Sequence, residues 1–359
     1  MILKSFKYST HDWSLDSLTI GKSNLMVGKN ATGKTRTMYA FAQITNLLSK
    51  AKDIDIDANF YAELVFDDEG HELKLILEIG EKTIKKEILS INDQVLIFRN
   101  TESALIEGML VDPPESALLL HVRRDVKDFP YTEKIIGWAS QSVIRSFIDV
   151  NHPTEEQLYE LVDGFTDEER KHVVEAANKI GFPIIDFDTF PRMMKRKLSS
   201  GLEFPDIYEK LQFTVFTEKD VEPILPFKAM SEGMRRTVLL LILLEKIVQY
   251  KSEAFLVVDD LGEGLDYTRA TKVGRLLFDT CREHGIQLVA ASNEEFMMNI
   301  VDIDCWNILV RHGQTVKSFT KDDAPELFEE FRFSGLDNFD FFTSDRLNRA
   351  LEAHFGDNE

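Results

Sequence analysis

Residues Gly28-Lys29-Asn30-Ala31-Thr32-Gly33-Lys34-Thr35 match the pattern G-x-x-x-x-G-K-[ST], between a short apolar run from Ser23 to Val27 and a helical stretch from Lys34 to about Lys50. No other feature limits the fold as much. The pattern demands a strand that delivers the chain, a glycine-containing turn whose successive N–H groups point inward at phosphate oxygens, and a helix whose N-terminus adds partial positive charge. In such a cradle Gly28 and Gly33 permit the turn and Asn30, Ala31 and Thr32 carry it around the phosphates. Lys34 reaches the β- and γ-phosphates, and Thr35 places its hydroxyl on Mg2+. Arg36 joins the contact set by position, although alone it reads as a solvated residue of the first helical turn.

A nucleotide cradle of this kind needs a carboxylate for the Mg2+ shell, usually at the end of a hydrophobic strand elsewhere in the sheet. Phe255-Leu256-Val257-Val258-Asp259-Asp260 supplies it: Asp259 is the metal-shell candidate, and Asp260 is placed to polarise an attacking water. Upstream, Met230-Ser231-Glu232-Gly233 opens a helix; downstream comes Gly264-Leu265-Asp266. Serine and glycine at a helix start can hold phosphate through backbone N–H groups and the helix dipole. Since the first cradle already grips its nucleotide from one side, this second one is free to grip the γ-phosphate held by another copy, which implies a two-fold dimer with ATP in the seam.

Between these segments the pattern changes. From Asn59 to about Arg99 short β-type runs (FYAELVF, ELKLILEI, TIKKEIL, VLIF) alternate with polar breaks, which predicts an antiparallel β lobe. Ala117 to Val122 reads as a buried strand and Lys134 to about Val150 as a helix. Asn151 to Phe213 is charged and reads mostly helical, broken by Pro153, Pro183, Pro191 and Pro205. Strand and helix then alternate again, with a helix through Leu239 to Val248, a strand Phe255 to Val258, a helix Arg269 to His284 and a strand Gln287 to Ala290. The Phe-rich acidic tail after Lys321 is expected to pack its rings on the protein's own body.

In order and spacing, GKNATGKT, MSEGMRR, VVDDLGEGLDYTRA and QLVAASNEE resemble the P-loop, signature, Walker B with D-loop, and switch segments of ABC-type ATPases, and more narrowly those of compact SMC-like and OLD-like bacterial "AAA family ATPases". The likeness covers about residues 1–50 and 225–320. It implies an α/β fold: a P-loop NTPase with an ABC-type head, a mixed sheet flanked by helices, with an antiparallel β lobe and an inserted helical lobe. Residues 1–150 would form the N-terminal half of the head, with the β lobe at about 58–100; residues 151–213 the helical insertion; 214–320 the C-terminal half; and 321–359 the tail.

Carried over by position, Ser231 and Gly233 resemble the signature that acts in trans, Asp266 the D-loop aspartate, and Asn293 stands in the place of the switch histidine. Lys34, Asp260 and Asn293 would then be the catalytic set, with Thr35 and Asp259 on Mg2+. Asp260 stands where a glutamate is expected, one methylene shorter, and a displacement of about 1 Å can cost about a hundredfold in rate. Asn293 can hydrogen-bond a γ-phosphate but cannot accept charge as histidine does. Slow hydrolysis and a long-lived ATP-bound state follow as expectations. The residue that senses Mg2+ through a glutamine is not assigned: Gln141 lies in a helical pattern, and Arg123 or its neighbours are the nearest alternative.

Other functions fit less well. A GTPase would carry an Asn-Lys-x-Asp motif, and none occurs; a small-molecule kinase has no need of a signature serine or a D-loop. The eight histidines form no nuclease-type metal cluster, so any cutting belongs to a separate effector, such as a nuclease, as the resemblance to defence-type and repair-type ATPases implies. A non-hydrolysing structural or sensor subunit and a transporter-type ATPase stay open as alternatives. A net charge of −20 argues against non-specific binding to a phosphate backbone, though it leaves room for a local basic groove. The longest apolar run, Val238 to Leu244, is too short to span a membrane, the N-terminus shows no secretory signal, and Cys281 and Cys305 are in no metal-ligand spacing. A cytoplasmic setting is expected.

Overall fold

In a computed structural model of the chain, the described residues are all but 51–58, 82, 113–114, 123–126, 128, 146–154, 196–207, 222–224, 250–253 and 356–359. They form two units: Met1–Ser146 with Ser252–Leu261 and Phe278–Glu359, and Phe147–Lys251 with Gly262–Leu277.

The first unit opens with β1 (Ile2–Thr10), β2 (Ser14–Thr19), β3 (Ser23–Val27) and helix α1 (Lys34–Ser49). An antiparallel run follows: β4 (Phe60–Asp68), β5 (His71–Gly80), β6 (Thr83–Ile91), β7 (Gln94–Arg99), β8 (Ala104–Ile106) and β9 (Met109–Leu110), then α2 (Leu119–Val122), α3 (Pro130–Gln141) and β10 (Val143–Arg145). The second unit takes over with α4 (Glu155–Val162), α5 (Asp167–Ile180), β11 (Ile184–Lys195), β12 (Tyr208–Glu218), β13 (Leu225–Pro226) and α6 (Glu232–Gln249). The chain returns to the first unit in β14 (Phe255–Val258), and α7 (Tyr267–Glu283) begins in the second unit and ends in the first. Then come β15 (Gln287–Ala291), α8 (Glu295–Ile300), β16 (Trp306–His312), β17 (Thr315–Phe319), α9 (Pro325–Arg332), α10 (Asn338–Thr343) and α11 (Asp345–Phe355).

One mixed sheet of 14 strands organises the first unit, in the order β10-β14-β15-β3-β16-β17-β2-β1-β4-β5-β6-β7-β8-β9. From β10 to β16 neighbouring strands are parallel. Every residue of β14 and β15 is buried, as expected of parallel strands covered on both faces. In β4, by contrast, Phe60, Ala62, Leu64 and Phe66 alternate inward with more exposed neighbours. Phe41 of α1 stacks on Phe6 at 4.5 Å and meets Phe255 edge-on at 5.3 Å, and Trp138 of α3 lies 5.3 Å from the same Phe255. Burying such a side chain contributes roughly 1.5–3 kcal/mol, so these rings seat both helices on the sheet below the phosphate loop. The buried Gln287 joins the start of β15 to the first strand: its Oε1 accepts from the Leu3 amide at 3.0 Å, and its Nε2 donates to the carbonyls of Leu3 and Gly21.

Three expectations are corrected. The run 117–122 contains a helical turn, not a strand, because the Glu87 carboxylate accepts the Leu119 and Leu120 amides at 2.7 and 2.9 Å and so caps a helix start. The helix expected from Lys134 to Val150 begins at Pro130 and stops at Gln141; Ser142 is extended and the β-branched pair Val143-Ile144 enters the sheet beside β14, while 146–150 lie outside the described residues. The insertion is helical only in part: beyond α4 and α5 it forms the long antiparallel pair β11–β12, with the Phe187 and Phe216 rings stacked 5.4 Å apart. Pro191 is tolerated there because β11 is an edge strand of the sheet β11-β12-β13. The expected antiparallel β lobe continues the main sheet outward from β1. In the tail Phe328, Phe331, Phe341 and Phe355 are buried, whereas Phe333 is exposed. Among the described residues no helix is long and apolar enough to cross a membrane.

Candidate functional site

Strand β3 delivers the phosphate loop between β15 and β16. Gly28 cannot be larger: a Cβ there would lie 2.7 Å from Thr32 Oγ1 and 2.8 Å from the Leu309 carbonyl of β16. Gly33 sits at φ +106 and would collide with Val316 and the Trp13 indole, two neighbours that only the fold reveals. Ala31 adopts φ +65, a left-handed conformation that costs a residue with a Cβ about 1–2 kcal/mol. Arg311, at the end of β16, steadies this bend by donating to the Ala31 carbonyl at 3.3 Å.

Lys34 is buried, and its ammonium donates to the Gly28 carbonyl at 2.8 Å and more weakly to Lys29 at 3.4 Å. Burial lowers its pKa, opposed by Asp260 and Asp259. Thr32 closes the loop by donating to the Lys29 carbonyl at 2.9 Å. Arg36 turns to solvent, where it faces Asp12 at 3.7 Å.

Asp259 follows directly on β14 and is buried; its Oδ1 accepts the Asp260 amide at 3.1 Å, while its Oδ2 has no hydrogen-bond partner among the described residues. Burial, then the neighbouring Asp260, pushes its pKa up to about 6, with the Thr35 hydroxyl, the Asp260 amide and Lys34 pulling the other way. A buried, unpartnered carboxylate oxygen beside a threonine hydroxyl is a donor set that suits a hard divalent cation, which would also favour the ionised form. Asp260 is half-buried at φ +49. Behind it, Leu261 and the end of β15 exchange two hydrogen bonds: the Leu261 amide donates to the Ala291 carbonyl at 2.9 Å, and Ser292 Oγ donates to the Leu261 carbonyl at 3.2 Å. The next residue, Asn293, donates its side-chain amide to Asn30 Oδ1 at 2.8 Å. The structure thus brings Lys34, Thr35, Asp259, Asp260, Asn30 and Asn293 together in the first unit. Arg123 lies outside the described residues, and Gln141 ends α3. A cavity of about 800 Å3 opens beside the loop, lined by Lys29, Asn30, Arg311, Phe342, Asn348 and Glu352 among others.

Ser231, Gly233 and Asp266 belong to the second unit. Ser231 is exposed at the start of α6, its Oγ accepting the Met234 amide at 3.4 Å. Gly233 is required by close approach: a Cβ would stand 2.3 Å from the Gly264 carbonyl oxygen. Arg236, one helical turn on, bridges Glu232 and Glu263 at 3.0 Å each, so the helix start and the loop are joined by charge as well as contact. Asp266 is exposed and caps α7, accepting the Arg269 amide at 3.0 Å; that bond leads the causes that lower its pKa.

Residues 23–292 match the family described as "AAA domain, putative AbiEii toxin, Type IV TA system". Among curated proteins, none matches the chain in sequence. Among solved structures, it resembles an SMC head bound to the C-winged helix domain of ScpA, at 12% identity and TM-score 0.54 over 91% of this chain and 100% of that one. It also resembles an SMC head with an extended coiled coil bound to the C-terminal domain of ScpA derived from Pyrococcus furiosus, at 11% identity and TM-score 0.52 over 92% and 99%. The chain belongs to that AAA-domain family, and its fold is that of an SMC/ABC-like P-loop ATPase head.

Proposed function

We propose that the chain binds and slowly hydrolyses ATP, and that ATP with Mg2+ pairs two copies so that each nucleotide is closed between the phosphate loop of one and the Ser231 segment of the other. The observation that carries the reading is the unpartnered buried oxygen of Asp259 beside Thr35, in the site whose lysine is already folded onto the loop. When bound, Mg-ATP supplies the phosphoryl group and the charge that neutralises it. Lys34 holds the terminal phosphates, Gly28, Asn30, Ala31, Thr32 and Gly33 wrap them, and Thr35 and Asp259 hold Mg2+. Asp260 takes a proton from the attacking water, and Asn293 orients it while gripped by Asn30. Ser231, Gly233 and Asp266 serve the partner copy's nucleotide; their exposure at Ser231 and Asp266 supports this.

A switch of this type acts through something else. A separate effector, such as a nuclease, in anti-phage defence or a DNA-repair-type system is the setting that the family's toxin–antitoxin description and the ScpA-bound heads support. Nucleic acid is not favoured by the net charge of −20. Light scattering on wild type and Ser231→Arg, with and without Mg-ATP and with phosphate release followed in the same samples, tests this. ATP should double the wild-type mass and fail to do so in Ser231→Arg. Unchanged mass in both, with ATP bound, would refute the paired state, and pairing without phosphate release would make the chain a non-hydrolysing switch.

A further inference from the structure

The loop Gly262–Asp266 is held on one side by Arg236, as described, and on the other by an arginine to which the sequence analysis gave no role. Arg269, in the first turn of α7, donates from Nη1 to Asp266 Oδ2 at 3.0 Å and from Nη2 to the Gly181 carbonyl at 3.1 Å, and its guanidinium lies 4.9 Å over the Phe182 ring. Gly181 is the left-handed cap of α5, at φ +114, and its carbonyl is one that a helix end leaves over for an outside donor. Phe182 is buried at the same corner. Three different contacts therefore converge on one side chain: an ion pair to the D-loop aspartate, a charge-assisted hydrogen bond to the end of an inserted helix, and a stack on an inserted ring. Lysine can replace the first but not all three, because it lacks the planar fork.

We infer that Arg269 is a positioning residue of the composite site: it sets Asp266 in place against the Gly181–Phe182 corner, so that the inserted lobe determines where the D-loop is presented to the partner copy's nucleotide. This rests on the paired-ATP reading above. It gives the insertion a task, since whatever shifts α5 shifts Asp266 through a bridge with little slack. Arg269 and the phosphate loop belong to different units of the chain, so the expected effect is on turnover and not on the KM for ATP.

The experiment compares full-length wild type, Arg269→Ala, Arg269→Lys, Asp266→Asn and the double variant Asp266→Asn/Arg269→Ala in steady-state ATP turnover, with mass by light scattering and a melting curve for each. Arg269→Ala should lower kcat about tenfold or more while the KM for ATP stays within about twofold, given that a displacement near 1 Å costs about a hundredfold. Arg269→Lys should fall between. The double variant should be no slower than Asp266→Asn, since the arginine acts through that carboxylate. If Arg269→Ala turns over like wild type, or if its loss adds in full to that of Asp266→Asn, the inference is overturned. A lower melting temperature with an unchanged kcat for the folded protein would assign Arg269 to the fold alone and likewise overturn it. Failure of the parent reading shows elsewhere: wild type would not double its mass with Mg-ATP, and Ser231→Arg would be silent.

Discussion

Gly233→Ala tests the close approach of α6 and the loop Gly262–Asp266 most directly. The new methyl would sit 2.3 Å from the Gly264 carbonyl oxygen, 2.9 Å from its carbon and 2.8 Å from Leu265 Cδ2. Ordinary separations are ~3.5 Å, so the loop backbone has to withdraw by about 1 Å. It has little freedom to do so: Glu263 is tied to Arg236 and Asp266 to Arg269. Overpacking of this kind costs about 1–3 kcal/mol, offset by up to ~1 kcal/mol from the better helix propensity of alanine. The net loss of about 1–2 kcal/mol should lower the melting temperature by roughly 5 °C. Turnover should fall further than stability, by about a hundredfold in kcat for a 1 Å displacement of Asp266, with the KM for ATP little changed. Differential scanning calorimetry with a coupled phosphate assay measures both. Gly137→Ala is the control: it lies within α3, its Cβ would meet nothing within 4 Å, and it should gain about 0.5–1 kcal/mol. A Gly233→Ala protein that melts and turns over like wild type would show that the loop yields freely and that the contact has no role.

Two further outcomes are expected. Ala31→Gly removes the left-handed strain at φ +65 and should stabilise the protein by about 0.5–1 kcal/mol in thermal denaturation, after the backbone entropy of glycine is subtracted. Glu87 is fully buried, and burial pushes its pKa up to about 7 against the Leu119 and Leu120 amides and Arg99, so its contribution to stability is complete below about 4.5 and is lost as pH rises through 7. Between pH 5 and 8 urea unfolding should therefore show wild type losing up to about 3 kcal/mol relative to Glu87→Gln; parallel pH profiles would refute it.

The phosphate loop could be read from sequence because its chemistry is local: eight consecutive residues make the turn, and strand and helix flank it directly. The positions of Asp259 just after β14 and of Ser231 just before α6 follow for the same reason, each fixed by the end of one element. What could not be read depends on contacts across long stretches of chain. Arg311 reaches Ala31 from 280 residues away, Trp13 underlies Gly33 from a neighbouring hairpin, and Arg269 finds Gly181 across the insertion. Short apolar runs carry little periodicity, so 117–122 read as strand until the Glu87 carboxylate decided otherwise. In β11–β12, prolines and charges hid an edge strand whose pairing alone reveals it.

The neighbours of β3 have a consequence for synthesis. Leu25 pairs with Ala290 on one side and Trp306 on the other, so the strand beneath the phosphate loop has no partners until about 260 residues more have been made. At ~5–20 residues per second the nascent chain waits on the order of tens of seconds with that strand unpaired, while the hairpins β4 to β7 can close at once. The hairpins of the outer sheet can therefore form well before β3 gains its neighbours, and the phosphate loop that follows β3 is seated only once β15 and β16 have been made.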